Sequence, residues 1–313
     1  LVLGLNKYSH DTTLCAADAK TGEVLFAMSK ERLTRKKHDS GNAASLVEKC
    51  LEQLDLNLEN IVNLDLHPIQ DGHYTKSCKN HLDRTGVLVI ENFLSSDTVD
   101  YLQYEAREVR PLAFFCHQNH NVYLLDSDPS LPEEHVRNLE QVSDKGCVPH
   151  DQIPDESPLR ALYEWPDFRV FLESILDAPV FPYADTLSSI NINYYEQEQQ
   201  LGWHYDNASF AITLMIQAPE EGGDFEYMEK VRNKEAGDQG YVDTEAVING
   251  SLQPKTLAVG DGALVLFRGR NSLHRVAPVA SDRARILVTL NFNTEAGVML
   301  SELARMTFFG RIV

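Results

Sequence analysis

Gly202-Trp203-His204-Tyr205-Asp206 sits in the middle of a run of short apolar segments, and how that run is read decides the fold. Ser189–Tyr195 lies on one side of it, and Phe210–Gln217, Asp224–Tyr227, Ala263–Phe267 and Ile286–Phe292 on the other. Each has strand length, is bounded by turn residues, and alternates or runs apolar. Upstream the pattern changes. Gly86-Val87-Leu88-Val89-Ile90 reads as a buried strand, and Ser95-Ser96-Asp97 caps a helix through about Glu108. Ser157-Pro158 opens another helix that carries Leu162, Phe168, Phe171, Leu172 and Ile175, while residues 64–80 read as a polar connection. Helices first and strands after predict an α+β chain with a β-sandwich or barrel at its core.

Side chains two apart on a strand share a face, so His204 and Asp206 are placed to reach one metal ion together. The third candidate is His274, in Asn271-Ser272-Leu273-His274-Arg275-Val276-Ala277-Pro278-Val279. Two imidazoles and one carboxylate leave three open positions opposite, which suits Fe(II) oxygen chemistry. Zinc is the rival metal, because nitrogen and oxygen donors suit it too. Two open positions accept a bidentate 2-oxo acid and the third accepts O2. A distal carboxylate such as that of 2-oxoglutarate then needs a fixed cationic fork. Arg283 and Arg285 follow His274 by 9 and 11 residues. Arg285 is preferred as the anchor because it abuts the strand Ile286-Leu287-Val288. Asn193 and Tyr195 alternate onto one face and are candidates to hydrogen-bond the same ligand. The plain alternative for each is a satisfied polar residue of the core.

A polar insertion, about Glu229 to Lys255, separates His204 from His274. It reads as an active-site lid or as a solvated excursion. Its charges of both signs suit a zwitterionic small molecule, and Trp203, Glu226 and Arg270 are the candidate substrate contacts. The net charge of −19 argues against a nucleic-acid partner. No run reaches the roughly 18 apolar residues of a membrane helix. Leu1–Asn6 is too short and too soon polar for a signal peptide, and the five cysteines are scattered without a C-x-x-C pair. Reduced thiols in a cytoplasmic enzyme are the expectation.

Asn193-Tyr194-Tyr195, Trp203-His204-Tyr205-Asp206, Gly222-Gly223-Asp224-Phe225-Glu226-Tyr227, Gly260-Asp261-Gly262-Ala263-Leu264-Val265-Leu266-Phe267-Arg268-Gly269-Arg270 and Ser272-Leu273-His274-Arg275-Val276 follow one another in order. Over about residues 85–296 the chain resembles Fe(II)/2-oxoglutarate oxygenases of the double-stranded β-helix (jelly-roll) fold, in the group of free-amino-acid halogenases and hydroxylases. The resemblance implies Fe(II), 2-oxoglutarate and O2 as cofactor and co-substrates, succinate and CO2 as products, and attack on an unactivated C–H bond of a small molecule. It also carries a departure. Halogenases of that group have a small residue in place of the metal carboxylate, which leaves room for chloride, whereas this chain has Asp206. Hydroxylation is therefore expected, with aziridine-type ring closure or desaturation of an amino acid as the alternative on the same site. From other classes, a non-catalytic binding module and a zinc hydrolase are the competitors.

Residues 1–63 read as a separate small α/β segment, followed by an oxygenase domain over 64–313. Thr13–Ala17 and Val24–Met28 flank the turn Lys20-Thr21-Gly22, and Leu46, Cys50, Leu51 and Leu54 mark one face of a helix. Leu3-Gly4-Leu5-Asn6 with Ser9-His10-Asp11, then Glu31-Arg32-Leu33-Thr34-Arg35-Lys36-Lys37-His38-Asp39-Ser40-Gly41, resembles the start of the carbamoyltransferases related to nodulation enzymes. The rest of that family's fold is missing, so the segment is expected to be structural.

Overall fold

The computed structural model describes residues 2–6, 12–17, 24–30, 32, 35, 46 and 61–313. The chain divides into two compact units, Leu1–Val62 and Asn63–Val313. In the first, strands β1 (Val2–Asn6), β2 (Thr13–Ala17) and β3 (Val24–Ser29) form an antiparallel sheet in that order. Thr13 pairs with Ser29 and Val2 with Ala17, so the expected β2–β3 pairing is present. Leu46 is helical and fully buried. The turn Lys20-Thr21-Gly22, the helix positions Cys50, Leu51 and Leu54, and most of the Glu31–Gly41 motif lie outside the described residues.

The second unit opens with a helix where the sequence suggested a connection. α1 (Gly72–Thr85) is capped by the Asp71 carboxylate, which accepts from the backbone N–H groups of His73 and Tyr74 at 2.8 Å, and it ends at Gly86 with φ 74°. Its buried stripe is only Thr75, Cys78 and Leu82, too sparse to show as an apolar period. β4 (Val87–Ile90) follows, then α2 (Ser96–Val109), capped by Ser95 and burying Val99, Leu102, Ala106 and Val109 at helical spacing. The helix expected from Ser157-Pro158 is two helices, α3 (Pro158–Glu164) and α4 (Pro166–Leu176). Pro166 has no N–H to continue the ladder and forces Trp165 to be extended, which breaks the run.

The remaining strands are β5 (Phe114–Asn121), β6 (Glu140–Val148), β7 (Phe181–Pro182), β8 (Ile190–Tyr195), β9 (Leu201–His204), β10 (Ala211–Gln217), β11 (Phe225–Met228), β12 (Lys255–Leu257), β13 (Leu264–Phe267), β14 (Leu273–Val276), β15 (Arg285–Leu290) and β16 (Phe292–Asn293). All but β7 and β16, together with β4, form one antiparallel sheet in the order β12-β11-β14-β9-β6-β8-β15-β10-β13-β4, with β5 on the side of β6. The sheet rolls up. Phe225 and Tyr227 on β11 touch Phe267 on β13, at ring centroid distances of 5.1 and 5.7 Å, although β14, β9, β6, β8, β15 and β10 lie between them in the hydrogen-bonded order. This is a double-stranded β-helix with flanking helices. On the outer face of β8, the Tyr194 hydroxyl donates to the Ala106 carbonyl of α2 at 2.6 Å, so the helices back one wall of the roll and leave its interior to the opposite side chains.

The insertion after β11 is folded: it carries α5 (Tyr241–Ile248) and packs Val231, Tyr241 and Val247 with Tyr123, Trp203 and Tyr205. α6 (Glu302–Phe309) closes the chain against β5 and β6. No described helix is long and apolar enough to cross a membrane. Cys15, Cys78, Cys116 and Cys147 are free thiols.

Candidate metal centre

β9 and β14 are neighbours, with His204 directly opposite His274. Their rings lie 4.1 Å apart, tilted by 52°. β9 ends at His204, and the next two residues carry the extended chain on to Asp206. That turn is held by Tyr205 N–H to the Val122 carbonyl (2.9 Å) and Asp206 N–H to the Gly269 carbonyl (3.2 Å). The Asp206 Oδ1 then stands 3.7 Å from His204 Nε2 and 3.5 Å from His274 Nε2. One ligand atom from each of the three residues lies within 4.8 Å of the others. A glycine at 269 makes this possible, because a Cβ there would fall 1.8 Å from Asp206 Oδ2.

Both histidines are oriented in the same way. His204 Nδ1 is 2.8 Å from the Gly202 carbonyl and His274 Nδ1 is 2.9 Å from the Ser272 carbonyl. A carbonyl only accepts, so each Nδ1 carries a proton and each Nε2 is the nitrogen that faces inward. Burial, and then neighbouring His274, push the His204 pKa down to about 3, so the ring is neutral. Burial alone would raise Asp206, but the adjacent imidazoles and Arg232 outweigh it and hold the carboxyl below its ordinary value. Its Oδ2 is buried without a hydrogen-bond partner. Two imidazoles that present Nε2 inward, beside a carboxylate with one free oxygen, are the arrangement a divalent metal requires, and the donor set fits Fe(II).

Arg285 begins β15, is 3% exposed, and stands opposite Tyr195 on β8 with its guanidinium 5.5 Å from that ring. Its Nε and Nη1 are buried with no partner. Lys145, on β6, donates to Asn193 Oδ1 at 2.7 Å, while the Asn193 amide donates to the Asn191 and Leu287 carbonyls. Among the described residues, neither cation has a carboxylate within ion-pair distance. Lys145 was not singled out from the sequence; a lysine two residues before a buried Cys147 on a strand was the only signal. Arg283 is elsewhere. It precedes β15, is 39% exposed, and is occupied by Asp261 (3.1 Å) and the Ala218 carbonyl (2.9 Å).

The expected substrate contacts need correction. Alternation that turns His204 inward turns Trp203 outward, into the cluster with Val122, Tyr123 and Leu273. Glu226 is opposite Arg275 across β11 and β14, and the two pair at 2.5 Å, with the Arg275 guanidinium 4.8 Å over the Trp203 ring. All three share the outer face. Arg270 is at the rim, donating to the Asn207 carbonyl at 2.9 Å and facing Glu235 at 3.7 Å. The inner wall beside His274 is aromatic instead, made of Phe267 at 4.8 Å and Phe225 at 5.7 Å.

The family description "Halogenase D" matches residues 70–301, which includes every residue of this centre. The chain belongs to the Halogenase D family. Among curated proteins, none matches the sequence. Similar solved structures include the non-heme α-ketoglutarate-dependent carbocyclase SnoK of nogalamycin biosynthesis, at 18% identity and TM-score 0.48, covering 74% of this chain and 90% of that one. A 2OG-Fe(II) oxygenase family oxidoreductase from Burkholderia pseudomallei is similar at 12% identity and TM-score 0.45, covering 72% and 92%. A prolyl hydroxylase from Trichoplax adhaerens is similar at 13% identity and TM-score 0.45, covering 74% and 93%. The Halogenase D match begins at residue 70, beyond the N-terminal unit.

Proposed function

We propose that this Halogenase D family member is an Fe(II)- and 2-oxoglutarate-dependent oxygenase that hydroxylates an unactivated C–H bond of a small molecule, a free amino acid or a related biosynthetic intermediate. The observation that carries it is the convergence of two inward-facing imidazole Nε2 atoms on the Asp206 carboxylate, whose Oδ2 has no hydrogen-bond partner. His204, Asp206 and His274 would hold the iron. With 2-oxoglutarate and O2, bound iron supplies the oxidising power to break a C–H bond. The protein's own residues bind, orient and shield.

Arg285 would receive the distal carboxylate of 2-oxoglutarate on its buried, under-satisfied guanidinium, whose planar fork an ammonium does not offer. Tyr195, facing Arg285, and Lys145 with Asn193 would complete the co-substrate pocket. Phe225 and Phe267 exclude water beside His274. With Asp206 as a metal ligand, the position that a halide would need would be filled, which favours oxygen transfer over halogenation.

The test is succinate release over a panel of free amino acids in chloride buffer, followed by product mass. Gain of one oxygen is expected. Loss of two hydrogens would move the reading to ring closure or desaturation, and a reproducible chlorine isotope pattern would overturn the role of Asp206. The unit of residues 1–62 is read as a structural piece, and carbamoyl transfer by the full chain would refute that.

A further inference from the structure

A third histidine-bearing element, β5, reaches the metal centre. The His120 ring stands edge-on to His204, with centroids 6.1 Å apart and planes at 81°. Its Nε2 lies 2.6 Å from the hydroxyl of buried Ser143 on β6, and its Nδ1 lies 3.1 Å from the Asn121 carbonyl. The Ser143 hydroxyl also accepts the backbone N–H of Gly202 at 3.0 Å. The directions of these bonds follow from the partners. The Asn121 carbonyl only accepts, so His120 Nδ1 carries the ring proton. Nε2 is then an acceptor, and Ser143 gives it the hydroxyl proton. Gly202 in turn accepts from His204 Nδ1 at 2.8 Å. One directed chain therefore runs His120, Ser143, Gly202, His204 across β5, β6 and β9.

The chain sits where the sheet is weakly laddered. β6 and β9 are registered at Ser143 and Leu201, so a side-chain hydroxyl holds the N–H of Gly202, the residue whose carbonyl orients the metal-facing imidazole. The approach is also close. A Cβ at Gly202 would fall 2.7 Å from the Val142 carbonyl, so only glycine lets β9 come this close to β6.

We propose that His120 is a positioning residue for His204, acting through Ser143 and Gly202, and that this chain sets the affinity of the centre for its metal. The proposal rests on the metal reading above. It is tested by Fe(II) dissociation constants measured anaerobically, together with the visible spectrum of the Co(II)-loaded protein and melting of the metal-free protein. His120→Phe keeps a ring against His204 but removes the acceptor. His120→Gln restores an acceptor oxygen, and Ser143→Ala removes the middle link.

His120→Phe and Ser143→Ala should each weaken Fe(II) binding by about 10- to 100-fold, as loss of outer-shell partners does, and should alter the Co(II) spectrum. His120→Gln should stay within about threefold of native, and the His120→Phe/Ser143→Ala double variant should be no weaker than the worse single, because one chain is broken once. Metal-free melting should not separate Phe from Gln at position 120. Native affinity in His120→Phe, or additive losses in the double variant, would overturn the proposal. If His120→Phe fails to fold, Ser143→Ala decides alone, with native affinity overturning it. If the native protein binds Fe(II) no better than His204→Ala does, the metal reading itself has failed, and the proposal with it.

Discussion

The interior of the roll and the helical layer behind it each bury a carboxylate, and the two behave in opposite ways. Asp206 faces two imidazoles, with Arg232 behind it, and is held below its ordinary pKa despite burial. Glu105, on α2, is 4% exposed; its Oε1 accepts the Ser157 hydroxyl at 2.7 Å and its Oε2 has no partner. Burial pushes it up to about 7, only partly countered by the Ser157 hydrogen bond, and the nearby acid Glu156 adds to the rise. Both sites leave one carboxylate oxygen unpaired. What separates them is the charge the surroundings offer, which favours the ionised form of Asp206 and lets Glu105 hold its proton up to about pH 7.

The largest effect expected from this contrast is at the metal centre. His204→Ala, Asp206→Ala and His274→Ala should each reduce 2-oxoglutarate turnover to background while circular dichroism stays native. Substantial turnover in His274→Ala would remove it from the ligand set and make its pairing with His204 a packing contact. Next in size is the cation pair of the interior. Arg285→Ala should raise the 2-oxoglutarate requirement by roughly 30- to 1,000-fold, the equivalent of about 2–4 kcal/mol for a lost charge-assisted bidentate contact. Arg283→Ala, already satisfied by Asp261, should leave it unchanged. The reverse pattern would mean that the exposed arginine is the anchor.

The centre was legible because its signal is the period-two rule itself: His204 and Asp206 share a face, and Arg285 abuts an apolar strand. The same rule places Trp203 on the other face, whereas the face of Glu226 depends on the β11–β14 register, which no local pattern gives. β5 and β6 were invisible for a different reason. His117-Gln118-Asn119-His120 and Gln141-Val142-Ser143-Asp144-Lys145 are mostly polar on both faces, because one side carries His120, Ser143 and Lys145 in hydrogen bonds and not in an apolar core. An apolar period cannot reveal strands of that kind, and Lys145, Ser143 and His120 were missed with them. α1 was missed similarly, its three buried positions being outnumbered by charged and polar ones.

Glu105 provides the pH test. Its folded pKa, about 7, lies above the ordinary 4.5, so the native state holds the extra proton between those values. Its contribution to stability is therefore intact below about pH 4.5 and is lost as pH rises through about 7, at a cost on the order of 2–3 kcal/mol. Glu105→Gln keeps an acceptor for Ser157 and cannot ionise. Urea denaturation at pH 5 and pH 8 should show the variant gaining on the native protein at pH 8. Equal differences at both pH values would mean that Glu105 is ionised in the fold, and its contrast with Asp206 would disappear.

The smallest effect is expected at a third carboxylate, Glu226, which completes the series. It is neither isolated like Glu105 nor aimed at a metal like Asp206, because Arg275 meets it at 2.5 Å across the β11–β14 pair. The two side chains are 20% and 34% exposed, so water screens the pair. Exposed ion pairs of this kind contribute about 0.2–1 kcal/mol. Arg275 also keeps its contact with the Trp203 ring when Glu226 is neutralised, which retains most of the packing. Glu226→Gln should therefore lower stability by no more than about 1 kcal/mol and leave both the Fe(II) and the 2-oxoglutarate requirements native. Denaturation and co-substrate titration on the same protein check both parts. A large change in turnover with unchanged stability would place Glu226 at the substrate after all and would show that the outer face of the roll takes part in the reaction.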